Sequence, residues 1–357
     1  MASRTEHFLA AYFRLLALTC SSQKRAVQRL LSGYLALNLG DMVIQFWHYF
    51  GNGWQMNNFQ QPRRQQFNAY AKIIDAMSVA YLLAHMLMVL QALLLRNRER
   101  RLLAQLPTVV PPSTLINVRL HATLECVLIG CALTMGTYQS LQSRQLLPNL
   151  RYFYTTQAVR ARYLQMALLV VRLDGQLLAL EQQLVRGRGS SVELRARYAH
   201  IVRLAHQLSR LYGLSVLMMN VLCIGDFIVV CYAYIILWQL TNMNLSWLLL
   251  WQTIYVVLPT LIKICTLCAV CDKCAKRSQQ LLVVISGAWR QETATRPGLT
   301  RTQTDEFSLQ IMQNSVQFDV CGMYHLSLKT MAGMFLFILN TLVTFLQFVQ
   351  LTKQQSS

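Results

Sequence analysis

Apolar residues in this chain of 357 residues gather into seven stretches, at about 30–50, 72–95, 118–140, 157–180, 214–240, 246–270 and 326–350. Each has about the twenty residues that an apolar helix needs to cross the hydrocarbon core of a bilayer, so the pattern predicts seven transmembrane helices. The fourth is the weakest: Arg172 and Asp174 interrupt it, and its uninterrupted apolar core, residues 167–171, is short. Both residues are expected near its cytoplasmic end, where a long side chain reaches the interface. The polar segments carry periodicity too. Between residues 192 and 211, Leu194, Ile201, Leu204, Leu208 and Leu211 fall near one helical face. Residues 275–290 and 304–320 read as further helices, broken at Arg296-Pro297-Gly298. Ahead of the first span, an amphipathic helix with Arg14 and Gln23 on its polar side is expected. Glu6 and Arg14 argue against a secretory leader at residues 8–19.

Charge orients this pattern. Of 33 Lys and Arg, twenty-two fall in the N-terminal tail and the second, fourth and sixth connections, against five on the other side: Arg63, Arg64, Arg144, Arg151 and Lys353. Cytoplasmic loops retain basic residues, so the N-terminus is predicted inside and the C-terminus outside. Removing the fourth span would turn residues 143–213 and the basic sixth connection outward, which the same rule disfavours. The fold class expected is therefore an all-α membrane protein with seven spans and inverted topology. Its organisation is a cytoplasmic segment (1–29), six spans (30–270), long cytoplasmic helices (271–325), a seventh span (326–350) and an external tail (351–357).

Composition agrees, with 54% hydrophobic and 13% charged residues and a mean hydropathy of +0.34. A net charge of +19 would suit nucleic acid, but orientation against anionic lipid accounts for it, so membrane lipid is the expected partner and nucleic acid is not. Cys265, Cys268, Cys271 and Cys274 recur every third residue. On an apolar helix that spacing spreads thiols around a face rather than closing a tetrahedron, so neither an iron–sulfur cluster nor zinc is expected. Disulfides are not expected at a reducing cytoplasmic face. His121 and Glu125, one turn apart beside Cys126, read as a local ion pair near Arg119. The sequence holds no G-x-S-x-G, Walker or zincin motif, so no enzyme, cofactor or metal is expected.

Ionisable groups inside spans cost several kcal/mol unless they face a partner or a cavity, and Asp41, Lys72, Asp75, Asp226 and Lys263 are such groups. Lys72 and Asp75, three apart at the outer end of the second span, either pair with each other or line an outward-facing cavity. The outer half is crowded with Tyr138, Tyr152, Tyr154, Gln157, Tyr232, Tyr234, Trp238, Trp251, Gln252 and Tyr255. An interfacial aromatic belt explains such a set, and so does a ligand pocket with apolar walls and a few directed polar groups. Asn244-Leu245-Ser246, in the short fifth-to-sixth connection, is a glycosylation sequon on the predicted outer side. In the last span, Asn340, Thr344 and Gln347 follow the spacing four then three, which aligns an amide, a hydroxyl and a second amide; Gly333 and Phe337 continue the stripe. Such a stripe is unfavourable in lipid and should face protein or water. It fits a helix–helix contact, or a water-filled conduit where several copies of this helix meet.

The segment Phe318-Asp319-Val320-Cys321-Gly322-Met323-Tyr324, followed by a final span ending in Gln347-Phe348, resembles the C-terminal signature of insect gustatory receptors: Thr-Tyr, five apolar residues, then Gln-Phe. Aligned on Gln347-Phe348, the Thr-Tyr pair falls on Asn340-Thr341, so half of the motif is intact. The resemblance implies a tetrameric, non-selective cation channel, homomeric or mixed with other gustatory receptors, in the dendritic plasma membrane of a chemosensory neuron. It also implies gating by a small-molecule tastant and permeating cations as partners. The seventh span of each subunit would line the pore, with Gln347 and Phe348 at its gate, Asn340 and Thr344 along it, and Val343 and Leu346 contributing to the closed constriction. The ligand would lie in the outer half among the second to sixth spans, where Lys72, Asp75, Tyr138, Gln157, Tyr234, Trp238, Trp251, Gln252 and Tyr255 are the candidates. The cytoplasmic helices would form an anchor.

Other classes fit less well. A metabotropic seven-helix receptor needs the opposite orientation, and a secondary transporter needs paired broken helices where only Pro259 offers a break. An odorant-receptor-like subunit shares the inverted architecture and stays open.

Overall fold

A computed structural model of the single chain describes residues 2–19, 25–53, 62–106, 118–143, 146–186, 190–241, 247–292 and 301–356; the side chains of 51–75, 135–149 and 232–256 fall outside that description. The elements are α1 (Ala2–Leu15), α2 (Arg25–Gly53), α3 (Pro62–Leu94), α4 (Arg96–Gln105), α5 (Val118–Ser143), α6 (Leu146–Val185), α7 (Ser191–Thr241), α8 (Trp247–Glu292), α9 (Arg301–Gln313), the short strands β1 (Asp319–Val320) and β2 (Tyr324–His325), and α10 (Leu328–Ser356). The seven apolar stretches fall on α2, α3, α5, α6, α7, α8 and α10, one helix each. Among the described residues, three segments are long and apolar enough to cross a membrane: Ala76–Leu94, Leu150–Val185 and Val192–Cys231.

α6 is the axle of the bundle, with α3, α5, α7 and α8 packed around it. Every residue from 155 to 167 is buried, so the stretch with the weakest apolar signal is the most enclosed. The Asp174 carboxylate is 4% exposed and pairs with Arg277 of α8, so this charge is neutralised from another helix. Two contacts set the level of α6 against its neighbours: Tyr154 meets Tyr34 near the start of the first stretch, and Gln165 meets Glu99, past the end of the second. Residues near 165 therefore lie level with the C-terminal end of α3, and Arg172 and Asp174 lie beyond it.

α7 and α8 run unbroken far past their apolar stretches. Ser190 caps α7, its hydroxyl accepting the Glu193 N–H at 3.3 Å. Leu194, Ile201, Leu204, Leu208 and Leu211 are all buried, as their spacing predicts. Pro259 is accommodated inside a continuous α8, not at a break. The expected helix over 304–320 stops at Gln313, and the chain turns into the hairpin β1–β2, paired Asp319 with His325 and Val320 with Tyr324. Cys321 (φ 52°) and Gly322 (φ 71°) make its tight turn. The hairpin lies against α7 at Gly213, where an added Cβ would stand 3.2 Å from the Cys321 nitrogen.

Candidate functional site

α10 presents two faces. Met331, Met334, Phe335, Ile338, Thr341 and Leu342 are buried or half-buried, recurring every three or four residues, and they seat the helix on α7 and α8. Phe335 meets Phe227 of α7 edge-to-face at 6.0 Å. The opposite side carries Gly333, Phe337, Asn340, Thr344 and Gln347, all exposed. The polar stripe thus points away from its own bundle, and among the described residues no contact from another helix accounts for it. Val343 and Leu346 flank it at 52% and 38% exposure. The Thr344 hydroxyl donates to the Asn340 carbonyl at 2.9 Å, and Thr341 to the Phe337 carbonyl at 2.8 Å, which satisfies both hydroxyls within the helix. The Phe348 side chain lies outside the described residues.

The hairpin ahead of α10 ties this helix to the core. Tyr324 of β2 accepts a hydrogen bond from the Asn220 amide of α7, and the Asn220 carbonyl oxygen accepts from the Tyr163 hydroxyl of α6 at 2.8 Å. Asp319 pairs with His325 across the strands, and Ser209 of α7 accepts the Asp319 N–H at 3.2 Å. An unbroken set of hydrogen bonds therefore links the axle helix to the segment that launches α10.

Of the nine candidate ligand residues, Gln157 alone has a described side chain: it is 2% exposed, and its amide nitrogen has no hydrogen-bond partner. The side chains of Lys72, Asp75, Tyr138, Tyr234, Trp238, Trp251, Gln252 and Tyr255 lie outside the described residues, as do those of His121 and Phe348 and the sequon at 244–246. Tyr154 turns from the outer cluster toward α1 and α2, where its hydroxyl bonds the Leu15 carbonyl at 3.0 Å and meets the Tyr34 hydroxyl at 3.2 Å.

Three buried polar clusters organise the bundle interior. Glu125 pairs with Lys263 of α8 at 2.7 Å and accepts the Tyr12 hydroxyl at 2.7 Å, so distant helices supply the partners described for it, while the side chains of His121 and Arg119 lie outside the described residues. Arg160 stands 4.0 Å from Asp226, whose carboxylate also accepts the Tyr81 hydroxyl. Arg162 donates to the Leu18 carbonyl at 2.9 Å and to Gln165 at 2.7 Å, and it lies 4.3 Å from the centre of the Tyr212 ring. The Tyr212 hydroxyl reaches Glu99 at 3.3 Å. Arg160 and Arg162 are 1% and 2% exposed. Two arginines in an apolar segment were the available signal; the acids that face them, Asp226 and Glu99, lie more than sixty residues away and were not. Asp41 pairs with Arg151 at 3.0 Å, half exposed, beside a cavity of about 180 Å³ between α2 and α6.

The sequence profile of the 7tm chemosensory receptor family matches residues 6–352. The chain is 41% identical to the Drosophila melanogaster protein named "Putative gustatory receptor 9a", an alignment of 353 residues covering 98% of each protein. In fold it is similar to the insect olfactory receptor OR5 from Machilis hrabei, with a TM-score of 0.68 at 10% identity over 95% of this chain and 97% of that one. The same receptor in complex with eugenol gives 0.69 at 11% identity over 97% and 98%.

Proposed function

The chain belongs to the 7tm chemosensory receptor family, and from that premise we propose that it is a gustatory receptor acting as a tastant-gated, non-selective cation channel. The observation that carries this reading is the outward polar stripe of α10: Asn340, Thr344 and Gln347 are exposed on the face that their own subunit leaves bare. Left in hydrocarbon, two amides would stay unsatisfied at a cost of several kcal/mol. Four copies around an axis would turn the stripes toward one another and hydrate them, with Gln347 and Phe348 near the constriction and Val343 and Leu346 beside it.

The remaining parts take their places from this arrangement. Seven spans with the N-terminus inside agree with the charge distribution, and the fourth crossing uses the N-terminal half of α6, leaving Arg172 and Asp174 to the cytoplasmic extension. The distal parts of α7 and α8, with α9, form the anchor. A tastant bound in the outer half among α3, α5, α6, α7 and α8 shifts the population toward the open state by preferring it. The Tyr163–Asn220–Tyr324 hydrogen bonds offer a physical link from α6 to the start of α10. Resemblance to a protein named as a gustatory receptor favours taste over smell, and a taste receptor acts in the plasma membrane of chemosensory dendrites.

Patch-clamp recording from cells expressing the chain tests this. Gln347→Glu and Gln347→Arg should change relative cation permeability while surface labelling stays at the wild-type level. Identical permeability in both variants and in Thr344→Val would remove α10 from the conduction path.

A further inference from the structure

Just past the apolar stretch of α3, residues 96–101 include Arg96, Arg98, Arg100 and Arg101, all exposed on α4. The acid among them, Glu99, is 3% exposed and turns inward, where it accepts from Tyr212 and Gln165. Among the described residues no acid pairs with any of the four arginines; Arg96 donates to the Ser32 hydroxyl of α2 at 3.3 Å. That contact brings in exposed Arg29, one turn before Ser32 on α2. Arg96 with Arg100, and Arg98 with Arg101, are like charges one turn apart, and they repel along the helix unless an anion lies against them. Leu30 and Leu94, beside Arg29 and Arg96, are 75% and 72% exposed. On two neighbouring helices, bare leucines thus give way at once to bare arginines, which is the pattern of a boundary between acyl chains and headgroups and favours lipid over a soluble acidic partner. At 1.5 Å per residue, Arg96 to Arg101 lie within about 10 Å of the end of the α3 span, which keeps them close to the headgroup layer.

We propose that this face binds the headgroup of an inner-leaflet polyphosphoinositide, with Arg29, Arg96 and Arg100 on its phosphates and Arg98 and Arg101 completing the basic collar. A phosphatidylserine headgroup offers a single net charge, whereas each phosphomonoester on an inositol ring carries about −1.5 to −2 and three acceptor oxygens. Arginine meets such a group through two parallel hydrogen bonds. Five guanidinium groups gathered at one helix junction, with the neighbouring acid turned away, match the multiply charged headgroup. The assignment rests on the inward orientation of the N-terminus in the reading above, but binding does not require conduction, so a silent channel and a failed lipid site are separate results.

Fluorescence anisotropy of a labelled short-chain phosphatidylinositol bisphosphate, with the full chain purified in detergent, tests this. The unlabelled lipid should compete at least about tenfold better than short-chain phosphatidylserine, and the double variant Arg96→Gln with Arg100→Gln should weaken binding about tenfold or more. Arg186→Gln with Arg203→Gln, which removes the same charge from exposed positions further along the cytoplasmic helices, should leave it unchanged. Equal competition by phosphatidylserine, or equal loss in the two double variants, reduces the effect to net charge and overturns the proposal. Inositol trisphosphate that competes as well as the lipid assigns the arginines to a soluble phosphate and overturns it too. Without lipid, the Arg96→Gln and Arg100→Gln double variant should melt no lower than the wild type, since it relieves a like-charge pair; a clear fall would assign these arginines to the fold instead. Orientation has its own readout: in intact cells, Asn97→Cys should react with a membrane-impermeant maleimide no more than the wild type does. Strong labelling would put the collar outside, away from the leaflet that holds these lipids, and overturn the assignment.

Discussion

Lys263 and Glu125 hold opposite charges 2.7 Å apart with 5% and 2% of their side chains exposed. An ion pair so enclosed is costly to assemble and costlier to break, because removing one partner strands the other charge in low dielectric. Lys263→Met should destabilise the receptor by about 3–5 kcal/mol, whereas Lys263→Met with Glu125→Leu should recover most of that loss. Melting temperatures of the two single variants and the double variant in detergent measure the coupling directly. Additive losses would mean that the pair contributes nothing as a pair. Glu99 makes a different case. Burial raises its proton affinity above the ordinary carboxylate range, and the charge of Arg162 partly opposes the shift. A carboxyl whose folded pKa exceeds its unfolded value contributes stability fully below the unfolded value, and that contribution is lost as pH rises through the folded one. Glu99→Gln should therefore flatten the fall in melting temperature between mildly acidic and neutral pH, and an unchanged slope would place the titration elsewhere.

α1 shows how an element can be held by groups that carry no sequence signal. Leu9, Tyr12, Phe13, Leu16 and Leu18 are buried in the main core while Arg14 is exposed, so the expected amphipathic helix wedges its apolar face into the bundle. Its last carbonyls, left over by the helix, are satisfied by side chains from three other helices: Leu15 by Tyr34 and Tyr154, Leu16 by His85, and Leu18 by Arg162. Deleting residues 1–19 should take one acceptor from each of these four side chains and lower both melting temperature and surface delivery. Retention of wild-type melting would show that the wedge is dispensable. Acceptors on the backbone are invisible in a sequence, which is why periodicity gave the amphipathic character of α1 but not the side chains that hold it. The same physics separates the rest of what was readable. The buried face of α7 and the stripe of α10 follow from spacing alone, because each helix has one wet or partnered side. α6 has none, so its arginines diluted the apolar pattern, while Asp226 and Glu99, which neutralise them, lie on other helices. The hairpin at 319–325 has strands of two residues, too short for alternation to register. Most of the ligand-site candidates lie outside the described residues, so among the site residues the comparison rests on α10 and Gln157.

Viewed as a molecule, one chain leaves a helix half-clothed. α10 buries Ile338 and its neighbours against α7 and α8, while Asn340, Thr344 and Gln347 face outward. Lipid and a symmetry axis are the two environments open to that face, and they predict different chemistry for a cysteine placed there. Around an axis, equivalent positions on neighbouring or opposite subunits come close together; facing lipid, they stay apart. Under mild oxidation in native membranes, Thr344→Cys and Gln347→Cys should therefore form cross-linked dimers on a denaturing gel, more than the wild type with its own cysteines. Leu342→Cys, on the face packed within the subunit, should not. On the proposed gating, an activating tastant should reduce the Gln347→Cys yield, because widening the constriction would separate the copies. Cross-linking at Leu342→Cys in preference to Gln347→Cys would mean that α10 meets its neighbours by the other face, and the polar stripe would then belong to a lipid-facing or intersubunit contact instead of a pore.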